Sequence, residues 1–156
     1  MKKYVLALSA LTAAAALGPA AATSAGDPVA AVKADLAKLQ ADVTAKRNVI
    51  VADAQKLATD AAAAKGGTRA AAKAVIRPDL AKLKADLASM RALVTADRAQ
   101  LKSDRVAAKQ VKGAKKELRA SVRTTRASIK AARADIRAAL HNARLAVKDL
   151  RASFKK

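Results

Sequence analysis

The chain has 156 residues, 32 Lys and Arg against 12 Asp and Glu, a formal charge of +20, and neither Cys nor Trp. That length holds one small domain at most, and the lack of Cys excludes a disulfide framework and a thiolate metal centre. Only 28 of the 131 positions after residue 25 are Leu, Ile, Val or Phe, so the core must be lean, close to the composition at which highly charged chains stay disordered.

Residues 1–25 carry the three parts of a secretory signal peptide. Lys2 and Lys3 form the positive start, Tyr4 to Leu17 the apolar run, and Gly18-Pro19 a break followed by small residues. The run of 14 residues is short for a bilayer span, and no later stretch approaches the length required. The pattern predicts cleavage before Gly26 and export from the bacterial cytoplasm, leaving a soluble periplasmic or secreted protein. No Cys stands at the break for lipid attachment.

Beyond the leader, alanine dominates, and its helix propensity makes helix the default wherever Gly and Pro permit. Asp27-Pro28 is a strong start, with an acid to cap and a proline for the first turn. The first helix is predicted over 27–65, ended by Gly66-Gly67. Thr68 then caps a short segment, 69–77, that Pro78 terminates. A second long helix follows over 78–112, Gly113 breaks it, and a third runs over 114–155. Short breaks between long rods predict an all-α fold, an antiparallel, coiled-coil-like three-helix bundle over residues 26–156.

The first two long helices share a repeat. Residues 35–60 align without a gap to residues 79–104, and 12 of the 26 positions are identical. An aliphatic residue recurs every seventh position, at Leu36, Val43, Ile50 and Leu57 and again at Leu80, Leu87, Val94 and Leu101. Leu39, Leu83 and Met90 add a second row three residues on, the spacing of a helix seam. The acids repeat as well: Asp35, Asp42, Asp53 and Asp60 match Asp79, Asp86, Asp97 and Asp104, each set on one stripe beside the seam. Within a helix, Asp42 is placed to reach Lys46, and Asp35, Asp53 and Asp79 to reach Lys38, Lys56 and Lys82. These stripes predict salt bridging between helices; acids one or two turns apart on one rod cannot converge on a single metal ion.

The third helix departs from the repeat. Its seam is Leu118, Val122, Ile129, Ile136, Leu140, Val147, Leu150 and Phe154. Residues 105–156 hold 16 cations against three acids, whereas residues 26–104 hold 14 against nine. At about 100° per residue, Arg119, Arg123, Arg126, Lys130, Arg133, Arg137, Arg144, Lys148, Arg151 and Lys155 fall within roughly 40° of one line. Like charges so aligned repel one another, and ordinary solvated faces mix both signs. A polyanion would relieve the repulsion, and the seven arginines among the ten suit bidentate contact with phosphate, sulfate or carboxylate. The stripe is therefore the candidate anion-binding site, unless it packs on the acidic stripes of the first two helices.

No catalytic constellation accompanies it. His141 is the single histidine and lies beside Arg137 and Arg144, where neighbouring cations repel a metal. Gly66-Gly67-Thr68 is too short for a phosphate loop, and the Ser and Thr residues lack a base. The expectation is a non-enzymatic envelope protein with no cofactor and no small-molecule substrate. Its partners would be anionic lipid head groups or wall polymer, or extracellular nucleic acid, with self-association as a further possibility. In size, basicity and leader the chain is similar to Skp-type periplasmic holdase chaperones, which implies holdase activity as an alternative, though it lacks their β-rich segment. Alanine- and lysine-rich stretches such as Ala70 to Lys73 resemble linker-histone tails, but such tails are Pro-rich and carry no seams, so their function is not carried over; the second alternative is a basic nucleic-acid-compacting protein whose apolar N-terminus is not a leader.

Overall fold

A computed structural model describes residues 27–155; the expected signal peptide lies outside the described residues. Three helices carry the fold: α1 (Pro28–Ala63), α2 (Arg69–Ala108) and α3 (Ala114–Ser153), with a 3-10 turn at Ala64–Gly66. Asp27 caps α1 by accepting the Val29 N–H at 2.9 Å, with Pro28 in the first turn. Thr68 caps α2 through its hydroxyl oxygen, which accepts the Ala71 N–H at 3.2 Å. Gly113, at φ +87°, makes the left-handed step between α2 and α3 that residues with a Cβ avoid.

Pro78 does not end a separate segment. It lies within α2, which runs through it and stops at Ala108, short of the expected Lys112. Proline leaves one carbonyl, that of Ala74, without its helical donor. Both Ala74 and Pro78 are exposed, so water can take the place of the lost bond.

The three rods run up, down and up. The start of α1 (Val29, Val32, Leu36) packs with the end of α2 (Ala108) and the start of α3 (Ala114, Leu118). The other end joins Ile50, Leu57 and Ala61 of α1 to Ala72 and Ile76 of α2 and Val147 and Leu150 of α3. The arrangement is not evenly triangular. Both flanking helices lie along α1, while the backbones of α2 and α3 stay apart over nearly their whole length. The repeat therefore experiences two environments. Leu36, Val43, Ile50 and Leu57 of the central helix are buried, and their counterparts Leu80, Leu87, Val94 and Leu101 on the flank are only half-buried. In α3, small residues complete the seam: Thr125, Ala132 and Ala143 are buried between its larger apolar positions.

The acids of the repeat lie between α1 and α2 and are clamped by lysines. Lys38 binds Asp42 of its own helix and the buried Asp97 of α2, each at 2.5 Å. Lys82, its equivalent in the second copy, binds Asp86 at 3.2 Å and Asp53 across the interface at 2.5 Å. Lys56 does the same with Asp60 at 2.6 Å and Asp79 at 2.7 Å. The acids beside each lysine raise its pKa, and the Lys56 ammonium holds the Asp60 carboxyl below its usual range. The pairs expected within a helix, Asp42 with Lys46 and Asp35, Asp53 and Asp79 with Lys38, Lys56 and Lys82, do not form. The lysines instead bind an acid four residues further on and an acid of the facing copy, because the antiparallel register places that second acid within reach.

One clamp is missing. The position equivalent to Lys56 is Gln100, whose amide donates to Asp104 at 3.1 Å but brings no charge. Asp35, the acid that a lysine there would meet, is left facing Asp104. Partial burial, a hydrogen bond to Asp104 and the charges of Asp104 and Asp97 raise its pKa from 3.8 to about 6. Because the folded chain holds this proton more tightly than the unfolded one, the associated stability is present below pH 3.8 and is lost as pH rises through 6. Gln100→Lys should remove that loss. Thermal melts between pH 4 and 7 should then show a falling midpoint for the natural chain and a flat one for the variant. At pH 7 the variant should be more stable by on the order of 1 kcal/mol, since solvent screens the pair.

Candidate anion-binding cleft

The stripe on α3 forms as its spacing predicts. Arg119, Arg123, Arg126, Lys130, Arg133, Arg137, Arg144, Lys148, Arg151 and Lys155 are all exposed, and among the described residues none has a carboxylate within 4.0 Å. Packing on the acidic stripes is thereby excluded: those acids face the α1–α2 interface, and α3 approaches α1 from another side. Two of the acids of α3 also turn to α1. Glu117 pairs with Lys33, and Asp135 pairs with Arg47 at 2.6 Å. The cations of α3 are thus left without counter-charge on the protein. His141 is exposed among them, and among the described residues no three His, Cys, Asp or Glu side chains are grouped as for a metal ion.

The separation of α2 from α3 gives this charge a shape. Two hollows lie in line between the helices. The middle one, of about 560 Å³, has Leu87, Met90, Ile129, Ile136 and Leu140 as its floor. Four stripe residues form its α3 lip, Arg126, Lys130, Arg133 and Arg137, and Arg91 and Arg98 face them from α2. The end hollow, of about 670 Å³, has a floor of Ile76, Leu80, Val147, Leu150 and Phe154, with Arg151 and Lys155 on one lip and Arg69, Lys73 and Arg77 on the other. No acid lines either hollow. The remaining stripe residues, Arg119, Arg123, Arg144 and Lys148, lie outside both.

The α2 lip escaped the sequence reading because it emerges only when the helix is continuous through Pro78. On one unbroken rod, Arg69, Lys73, Arg77, Arg91 and Arg98 fall within roughly 80° of one another; divided at residue 77, the pattern disappears. The floor was equally hidden, since half-burial of Leu80 and Leu87 follows from the asymmetric packing and not from their spacing.

A narrow trough of one charge sign over low-dielectric walls concentrates its field and draws in counter-ions. Its guanidinium groups can each offer two parallel N–H donors to a phosphate or carboxylate. The described lining of the trough consists of arginines, lysines and apolar side chains. Comparison with protein-family models, curated proteins and solved structures gives no match, so function has to be read from these residues themselves. Among the described residues no helix is long and apolar enough to cross a membrane.

Proposed function

We propose that the protein is an exported, non-enzymatic helical component of the bacterial envelope that binds an anionic partner through α3. The observation that carries this reading is the row of ten exposed cations, interrupted at His141, that has no carboxylate within 4.0 Å among the described residues. Lipid phosphate, acidic wall polymer and extracellular nucleic acid share the required chemistry: repeated oxyanions spaced along a surface or chain. Arginine predominance on the stripe supports oxyanion recognition over bulk charge alone. Export rests on residues 1–25, with their basic start, apolar run and small-residue break.

The binding claim is tested by titrating the purified chain against wall polymer, anionic vesicles and duplex DNA over a range of salt. Each neutralised anion releases counter-ions, so affinity should fall steeply, with a slope of about −4 or steeper in log–log form for DNA. An affinity independent of salt would sink the proposal. Export is tested separately by fractionating cells that express the full-length chain and sequencing the N-terminus of the product, which should begin at Gly26.

A further inference from the structure

We infer that the cleft between α2 and α3 is a docking site for an acidic amphipathic helix of another protein, which would lie along it as the fourth member of the bundle. The inference rests on the reading of α3 as an anion-binding face and adds the shape, polarity and class of the occupant.

Three features converge on a helix. The floor is a pair of seams, half-buried except at Ile136: Leu80, Leu87 and Met90 on α2, Ile129, Ile136 and Leu140 on α3, at the spacings of three, four and seven residues that receive helical knobs. The opening lies opposite α1, where the backbones of α2 and α3 stay apart, the position a fourth rod takes in a bundle. Cations flank the floor on both sides, placed as the charged positions beside a coiled-coil seam are placed. The occupant must accordingly be apolar on one face and anionic on both flanks of that face.

Charge along the length favours a helix as the occupant of the cleft itself, and leaves the other anions to the stripe residues of α3 outside it. From Arg69 to Arg98 the α2 lip extends roughly 44 Å at 1.5 Å per residue. A single anionic lipid has its charge at one end, and its tail would lie between arginines. DNA or wall polymer is charged throughout but has no apolar face for the floor. A second copy of this chain would bring cations against cations, its repeat acids being held between its own α1 and α2.

The test uses the full bundle, residues 26–156, and a helical peptide of about four heptads with Leu on the seam and Glu on the flanks. Controls are a peptide with the same Glu residues and Ala replacing Leu, anionic phospholipid vesicles, and duplex DNA. The Leu peptide should bind, and Arg91→Gln with Arg98→Gln should weaken it about tenfold. These residues are exposed on α2, off the α3 stripe. Lys109→Gln with Lys112→Gln, which removes equal charge at the α2–α3 turn, should have a small effect. The Ala peptide should bind at least tenfold more weakly than the Leu peptide.

If the two peptides bind alike, or the two double variants behave alike, the floor and the α2 lip are not used and the inference is overturned. It is also overturned if vesicles displace the Leu peptide and themselves depend on Arg91 and Arg98, since the occupant is then lipid. Duplex DNA separates the two levels of the claim. DNA binding without Leu-peptide binding overturns the cleft and leaves the α3 reading standing; loss of both overturns both.

Discussion

Combining Arg126→Gln, Arg133→Gln, Arg137→Gln and Arg144→Gln should lower affinity for a polyanion by roughly two orders of magnitude at moderate salt and flatten the log–log salt slope by about three. All four side chains are exposed, so the melting curve should be nearly unchanged. The comparison that gives this result meaning is an equal loss of charge elsewhere. Lysines of the repeat are unsuitable, because Lys38, Lys56 and Lys82 hold acids between α1 and α2, and removing them would disturb the fold. Lys65, Lys109, Lys112 and Lys116 are exposed near the helix junctions, and their change to Gln removes four charges without touching a clamp. Equal weakening by the two quadruple variants would show that net charge alone attracts the partner, and the stripe would then not be a site.

The second large effect concerns stability. Leu57 is 2% exposed in the central helix, whereas its counterpart in the repeat, Leu101, is half-buried on α2. Leu57→Ala should cost about 3 to 4 kcal/mol, the sum of lost transfer energy and an unfilled cavity, while Leu101→Ala should cost about 1 to 2 because water already reaches that side chain. Chemical denaturation of both variants measures the difference directly. Similar losses would mean that α2 is packed as tightly as α1 at this level of the bundle.

Much of the fold was legible because it is written in local chemistry. Asp27 and Thr68 cap helices as their side chains allow, Gly113 turns the chain, and apolar residues at heptad spacing face inward. What escaped depends on how the rods are placed. Nothing in the spacing of Leu36 and Leu80 says which becomes central, so the unequal burial of the two copies was not legible. Salt bridging between the helices was expected and forms, but the individual pairs were sought only within one helix, since a single rod shows only near neighbours; which acid each lysine meets across the interface depends on the register of α1 against α2. Pro78 was read as a stop because its local cost is evident and the exposure of its surroundings is not. For the site, the α3 stripe was visible as periodic charge, while the α2 lip and the apolar floor required the gap between helices that no one helix encodes. Thr125, Ala132 and Ala143, which the expected seam of α3 did not include, are buried in it, with Thr125 facing the Leu36 carbonyl and Ala132 packed on Leu39 and Val43 of α1.

The paired clamps give the hairpin of α1 and α2 an internal symmetry. Lys38 with Asp97 and Lys82 with Asp53 become one another when the two copies of the repeat are exchanged, so α1 and α2 meet as two identical helices would across a two-fold axis. A single copy carries both halves of that contact and is complementary to itself. The hairpin of α1 and α2 is in this sense a homodimer joined into one chain. The two halves nevertheless differ: α1 is the buried spine, and α2 has Gln100 where α1 has Lys56 and turns its outer edge toward the cleft.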